Sequence, residues 1–450
     1  MPKVVVVGGG LVGPVAALFL ARRGYTVDLY ERSPDPNEQP LREGRSVHLV
    51  LSERGWSAMR TVGVEGVVRA EALPIRGRLI HALSGAIAFQ PYGSEGQAIY
   101  AVERSRLNEI LIGVAASHPG VTVHFAHTCE RVDLDACELE FSTSCGQRFA
   151  VQAERVLAAD GAFSRIRSAM MKGGRFDYTQ EYVPFAYKEL SIPAGTGGEF
   201  RLDPSGLHVW PRGSVLLNAF PKPDRAFTAM LMLPVEGERS FETVRTPSDL
   251  TAIFEQSFPD ATSLFPDLAD EFFAHPPSNL VTIRCYPWTS GGKVALIGDA
   301  AHAMVPFLGQ GVNAGFEDCA VLDRCLERHG DRWAAAIDAY QQLRKPDCDA
   351  VTAMSLVNFT DFCERIGDPR FLLRRKIEQR IHTLHPQEFI GMYPMIAFTQ
   401  MPYAEAYRRA QAQERFLTSL LAVDGVETKW ETDEFAALVK ERLPEVLGSR

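Results

Sequence analysis

The residues with the clearest capacity for chemistry stand near the start of the chain. Gly8, Gly10 and Gly13 satisfy G-x-G-x-x-G, with Leu11 and Val12 between the last two. In such a loop the first glycine permits a tight turn, the second lets backbone approach a pyrophosphate, and the third lets helix and strand pack closely. The phosphates would sit at the helix N-terminus, where unpaired N–H groups and the dipole favour negative charge. Glu31 lies about 20 residues on, where an acid accepts hydrogen bonds from a ribose. Two later pairs, Asp160-Gly161 and Gly298-Asp299, bring further carboxylates to strand ends. A plain turn role is open to Asp160, but its place at the end of a buried strand favours ligand contact. Gly309 and Gly311 precede another helix, whose N-terminus would offer a dipole to a polar, electron-rich group.

These residues need elements to hold them. Val4 to Val7 read as a short strand buried on both faces, and residues 15–24 as a helix stopped by Gly24. Residues 25–31 form a second strand ending in the acid. Pro34, Pro36, Asn37 and Pro40 mark a loop, followed by a helix-like run through Trp56, Met59 and Val62. Residues 74–81 end in strand character. Arg76 and Arg78 would share one strand face, and Arg76 reads as a solvated surface charge. Residues 100–116 are expected to be helical and 121–125 a strand. Residues 134–141 and 147–152 should form antiparallel strands of an inserted meander, and 156–160 another buried strand. From 187 to about 281 alternation dominates, predicting a mostly antiparallel sheet. Within it a helix over 246–258 would be capped by Thr246 and begun by Pro247. A further strand at 293–299 leads to a helix through Leu326. From Trp333 onward helix prevails, with breaks expected near Pro386, Pro394 and Pro402.

The fold class predicted is α/β: a Rossmann-type nucleotide-binding domain, an inserted antiparallel-sheet domain and a helical C-terminal region. The boundaries expected are 1–75, 100–180 and 282–330 for the first, 76–99 and 181–281 for the second, and 331–450 for the third. A chain of 450 residues accommodates two or three domains. The net charge of -9 argues against a nucleic-acid partner. No apolar run reaches the ~18 residues of a membrane span, and the opening strand leaves no room for a signal peptide, so a cytoplasmic protein is expected, monomeric or homodimeric. The 8 cysteines include no C-x-x-C pair and the 11 histidines no H-E-x-x-H, so reduced thiols and no metal site are expected.

In this order, the glycine fingerprint, Asp160-Gly161 and Gly298-Asp299 resemble the group A flavoprotein aromatic hydroxylases. These are single-component FAD monooxygenases with a glutathione-reductase-like FAD domain. Residues 44–49, 76–81, 90–93, 187–190, 207–211, 305–318 and 401–404 resemble the kynurenine 3-monooxygenase subgroup. The likeness spans nearly the whole chain. It implies that Gly8, Gly10, Leu11, Val12 and Gly13 take the FAD pyrophosphate, and Glu31, beside Arg32, the adenosine ribose. Arg45, Arg104 and Asp160 would belong to the same site. Asp299 would bind the ribityl and pyrophosphate region, while Gly311, Val312 and Asn313 approach the isoalloxazine.

The same resemblance implies that Arg78, Tyr92 and Tyr403 bind an amino-acid carboxylate, with Asn358 near it and Pro306, Phe307 and Leu308 beside the ring. Arginine matches a carboxylate in bidentate geometry. Leu308 departs from a family position that can carry His or an aromatic residue, which points to a modified substrate. NADPH would bind transiently, since only one dinucleotide fingerprint is present. The implied reaction is reduction of FAD by NADPH, addition of O2 to give a C4a-hydroperoxyflavin, and hydroxylation of L-kynurenine or a substituted kynurenine at its 3-position. No residue is assigned as acid or base. The ending lacks the membrane-anchoring segment of eukaryotic members, implying a soluble, bacterial-type enzyme. Hydroxylation of another aromatic acid is the neighbouring alternative. A non-catalytic binding protein on the same fold is the remote one, opposed by the two Asp-Gly pairs.

Overall fold

A computed structural model describes residues 2–38, 48–330, 332–360 and 369–447. The Val4 to Val7 run is the middle of a six-stranded sheet, and its side chains are at most 4% exposed. Strand Lys3–Val7 pairs in parallel with Thr26–Tyr30 on one side and Val156–Ala158 on the other. Val121–His124 and Val294–Leu296 extend the parallel sheet outward, and Thr289–Ser290 closes one edge antiparallel. Burial on both faces explains why these strands are continuous apolar runs, not alternating ones. Helix Val12–Arg22 makes the first crossover, and Gly24, at φ +87°, ends it in a conformation that side chains disfavour. The meander has three strands, His127–Asp133, Glu138–Thr143 and Arg148–Gln152.

The expected helix over 100–116 is corrected at its front. Ile99–Glu103 is a strand, and the helix is Arg104–Ser117. The strand pairs antiparallel with His48–Leu51 and with Leu73–Ile75. Those partners are remote in sequence, and the pairing buries Ile99, Ala101 and Val102. Tertiary pairing therefore outweighs the local helical pattern.

A seven-stranded sheet runs in the order Ser278–Tyr286, Asp177–Ile192, Phe227–Pro234, Val215–Pro221, Gly206–Arg212, Gly77–His81 and Ile87–Pro91. Its neighbours are antiparallel except Gly206–Arg212 with Gly77–His81, which run in parallel. Arg78 thus enters this sheet from a distant part of the chain, opposite Leu207. One face packs Trp210, Leu217 and Leu231 against Phe254 and Phe258. The helix behind it, Pro247–Ser257, carries the predicted cap, a reciprocal box between Thr246 and Asp249. The other face turns Leu207, Val209, Leu216 and Phe220 toward Tyr92 and Val305.

Helix Gly311–Arg328 packs beside helix Trp333–Thr360. Helices Pro369–Leu384, Met392–Phe398, Tyr403–Leu421 and Asp433–Leu447 follow. The helices break over 385–391, around Pro386 and ahead of Pro394, and again over 399–402 before Tyr403. Pro394 lies in the first turn of Met392–Phe398, where a missing N–H leaves no helical bond unmade. Among the described residues no helix is long and apolar enough to cross a membrane.

Candidate active site

One cavity of about 280 Å³ meets both sheets. On one side Leu11, Ala159, Ile297 and Asp299 line it, at the C-terminal ends of the parallel strands, where α/β sheets bind ligands. The glycine loop shows why each of its glycines is there. Gly8 has φ +105°, and a Cβ on Gly13 would collide with the Gly8 carbonyl oxygen. A Cβ on Gly10 would meet nothing within 4 Å, because that position faces the cavity. The loop is held from below: Glu31 accepts from the Gly9 N–H at 2.5 Å and the Ser33 N–H at 2.8 Å, and the Asn108 amide donates to the Gly9 carbonyl at 2.8 Å. Asn108 carries no motif and sequence reasoning missed it.

The remaining cofactor-side residues divide. Gly10, Val12, Arg104, Asp299, Gly311 and Val312 line the cavity, and Gly298 reaches the turn before Asp299 at φ +62°. Asp160 does not: its Oδ2 accepts from the Arg165 and Ile166 N–H groups at 2.8 and 3.3 Å. It caps a helix, while its neighbours Ala159 and Gly161 face the cavity. The Asn313 side chain is also turned elsewhere. It accepts from Ser52 N–H at 2.9 Å and donates to the Val50 and Gly309 carbonyls at 2.8 and 2.7 Å, pinning strand His48–Leu51 to the start of its own helix. Arg32 is exposed outside the cavity, and Arg45 lies outside the described residues. The open side of Gly10, the Asp299 carboxylate and the helix start at Gly311 suit a pyrophosphate, a polyol and an electron-rich ring in turn. These residues fit FAD.

On the other side, half-buried Arg78 points Nε at the Tyr92 hydroxyl, 3.4 Å away. The Arg78 guanidinium lies 5.3 Å from the Tyr92 ring centre and 6.0 Å from that of Tyr393. The two rings are 4.9 Å apart. Burial pushes the Tyr92 hydroxyl up, against a smaller opposing pull from Arg78, and pushes Tyr393 above the ordinary phenol range. Both phenols stay protonated, so the three side chains are donors grouped for an anion. Pro306, Phe307 and Leu308 line the cavity close by.

Tyr403 is not part of this group. It is fully buried away from the cavity, under the Arg54 guanidinium at 4.0 Å, and its hydroxyl donates to Gln310 Oε1 at 2.8 Å. Tyr393 stands where Tyr403 was expected. Both tyrosines adjoin a proline, and no local pattern separates them. Asn358 also stays outside the cavity wall, donating to the Phe307 carbonyl at 2.8 Å, so it positions the Pro306–Leu308 turn. Two polar residues of the wall, His48 and Asn218, escaped sequence reasoning. Burial drives His48 down to about 4, which keeps its imidazole neutral.

Behind the helix start lies a buried ion network. Asp318 accepts from Arg344 Nε at 2.7 Å, from the Gly298 N–H at 3.1 Å, and pairs with His302 Nε2 at 2.6 Å. Glu317 bridges Arg54 and Arg344 at 2.7 and 2.9 Å. His302, Asp318 and Cys348 are close enough to suggest a metal triad. The Arg344 guanidinium already supplies the positive charge on Asp318, and the cluster acts as a brace for the Gly298-Asp299 turn.

Residues 1–355 match the FAD binding domain family, which defines the class: an FAD-dependent flavoprotein. Solved structures share the fold. A tetrameric 2-methyl-3-hydroxypyridine-5-carboxylic acid oxygenase superposes with a TM-score of 0.66 at 21% identity, over 82% of this chain and 94% of its own. The tetracycline destructase Tet(55) gives 0.61 at 20%, over 86% and 97%. Similarity in sequence is narrower. The kynurenine 3-monooxygenase of Flavobacterium psychrophilum is 39% identical over 100% of this chain and 99% of its own. That of Flavobacterium johnsoniae is 41% identical over 98% of each, and that of Salinispora arenicola 42% over 92% of each. The chain belongs to the kynurenine 3-monooxygenase family.

Proposed function

We propose that this protein is an FAD-dependent, NADPH-consuming monooxygenase that hydroxylates L-kynurenine, or a ring-substituted kynurenine, at the ring carbon beside the amine. One observation carries the reading. A single cavity connects Gly10, Asp299 and Gly311 on the flavin side with Arg78, Tyr92 and Tyr393 on the other. A cationic and phenolic cluster at a set distance from a flavin site suits an amino acid whose aromatic ring must reach the flavin.

In this reading the Arg78 guanidinium takes the carboxylate, and Tyr92 and Tyr393 add hydrogen bonds. Phe307, Leu308, Leu216 and Met232 surround the ring and exclude water, so that activated oxygen reacts with substrate before it is lost. Bound FAD, once reduced by NADPH, supplies that activated oxygen from O2. The electron-rich aniline ring attacks without deprotonation, and no side chain is needed as a strong base. The first helical turn at Gly311 and Val312 would direct its dipole toward the bound flavin and favour its anionic reduced form. The FAD portion would comprise residues 1–75, 100–180 and 282–330, and the substrate portion 76–99 and 181–281. A cytoplasmic setting and a monomer or homodimer belong to the same proposal.

The test is a titration of the FAD-loaded protein with L-kynurenine, following flavin absorbance and NADPH consumption. Saturable binding with faster NADPH oxidation supports the reading, as does a tenfold to hundredfold weaker response in Arg78→Leu, the scale of a lost charged hydrogen-bond pair at about 1.5–3 kcal/mol. No spectral change and no acceleration overturn it.

A further inference from the structure

We propose that His48 and Asn218 form the subsite that recognises the ortho-amino ketone of the substrate, and so distinguish an aminoaryl ketone from other aromatic amino acids. The inference rests on the function proposed above and specifies that site further.

The sheet wall of the cavity is apolar at Leu207, Val209, Leu216, Phe220 and Met230. Asn218 interrupts it. Its backbone is paired on both sides, with Val209 and with Met230, so the strand makes no demand on its amide. Even so, Asn218 Oδ1 is buried with no partner. An unpaired buried polar atom costs about 1–3 kcal/mol, and valine or leucine would fill the same place without that cost.

His48 is the second polar side chain of this region. It is 5% exposed, and its Nδ1 is likewise buried without a partner. Its ring stacks on Phe220, with centroids 6.0 Å apart and planes 14° apart. Phe220 stands two residues beyond Asn218 on the same strand face, which brings the imidazole and the amide to one part of the wall. A neutral imidazole has one donor and one acceptor, and a primary amide has both. With Oδ1 and Nδ1 buried, the amide nitrogen of Asn218 and Nε2 of His48 are the atoms left for the cavity.

The position matches the chemistry. Arg78 sits on strand Gly77–His81, whose neighbour is Gly206–Arg212, whose neighbour in turn carries Asn218. Arg78 lies opposite Leu207 and Asn218 opposite Val209, so two strand spacings and a two-residue offset make roughly 12 Å. A carboxylate held at Arg78 therefore places the far end of an amino-acid side chain at Asn218 and His48. An ortho-amino aryl ketone offers a carbonyl acceptor and an outward N–H donor there. The Asn218 amide donates to the ketone, and His48 Nε2 accepts from the amine. A plain phenyl ketone lacks the second bond.

The test compares L-kynurenine with 2-amino-4-oxo-4-phenylbutanoate, which lacks the ring amine, on the FAD-loaded protein, with dissociation constants read from flavin absorbance. The native protein should prefer kynurenine by about fivefold to tenfold, the scale of one hydrogen bond. His48→Phe, which keeps the stack on Phe220, should reduce that preference to within about twofold, and His48→Gln should restore part of it. Asn218→Leu should weaken both ligands alike, and Arg78→Leu should do so without altering their ratio. An unchanged ratio in His48→Phe, with unchanged affinities in Asn218→Leu, overturns this inference while leaving the function standing. Failure of the native protein to bind kynurenine overturns both.

Discussion

The hydroxyl of Tyr403 donates to Oε1 of Gln310 at 2.8 Å, and this bond ties a C-terminal helix to the turn that precedes helix Gly311–Arg328. Tyr403 therefore braces the turn before that helix, while Tyr393 lines the cavity beside Arg78 and Tyr92. Tyr403→Phe should leave kynurenine affinity within about twofold and lower stability by about 1 kcal/mol, the usual net value of one hydrogen bond. Tyr393→Phe should weaken kynurenine several-fold with little change in melting temperature. Parallel titrations and thermal melts separate the two.

The glycine loop makes a second contrast. Gly10→Ala places a methyl in open cavity space, so the apoprotein should melt as before while FAD is retained poorly. Gly13→Ala drives a methyl into the Gly8 carbonyl, so the fold itself should weaken by several kcal/mol. Melting temperature of the apoprotein and bound flavin per chain are the two readouts.

Arg344 is fully enclosed with Asp318 and Glu317. Arg344→Met removes one of the two cations on each carboxylate, leaving Arg54 on Glu317 and His302 on Asp318, and the loss should approach but not exceed the ~3–5 kcal/mol of a broken buried pair. Because Asp318 also accepts from the Gly298 N–H, the variant should lose FAD more readily at denaturant concentrations below its unfolding midpoint. Denaturant unfolding with and without FAD checks both effects.

Acid should destabilise the protein well above the carboxylate range. His48 and His208 are both driven down to about 4, chiefly by burial. In the unfolded chain each takes up a proton near pH 6.5. Between pH 6.5 and 4 the unfolded chain therefore binds more protons, and stability falls as pH drops. At pH 5 the loss is about 2 kcal/mol per histidine as an upper bound. His48→Phe should flatten this slope, seen in melting temperatures at pH 7 and pH 5.

What could be read in the sequence follows from how local each signal is. The Val4 to Val7 strand, the glycine turn and the Thr246–Asp249 cap are short-range features, and each formed as the residues dictate. Residues 100–103 read as the front of a helix because their strand partners, His48–Leu51 and Leu73–Ile75, are remote in sequence and the apolar spacing also suits a helix. Asp160 and Asn313 occupy ligand-like positions, but their side chains bond backbone N–H and carbonyl groups that only the folded chain brings near. Tyr393 and Tyr403 share a proline-flanked setting, and only packing under Arg54 decides which one is enclosed. His48 and Asn218 carry no motif, and their meaning comes from the apolar wall around them.

The central claim is that one cavity brings FAD and an aminoaryl ketone together for oxygen transfer. Mass spectrometry of the product formed from L-kynurenine, NADPH and isotopically heavy O2 tests it most directly. The account predicts a product carrying a single heavy oxygen on the aromatic ring, with NADPH consumed in step. Complete recovery of unmodified kynurenine, with every NADPH accounted for as hydrogen peroxide, would contradict it.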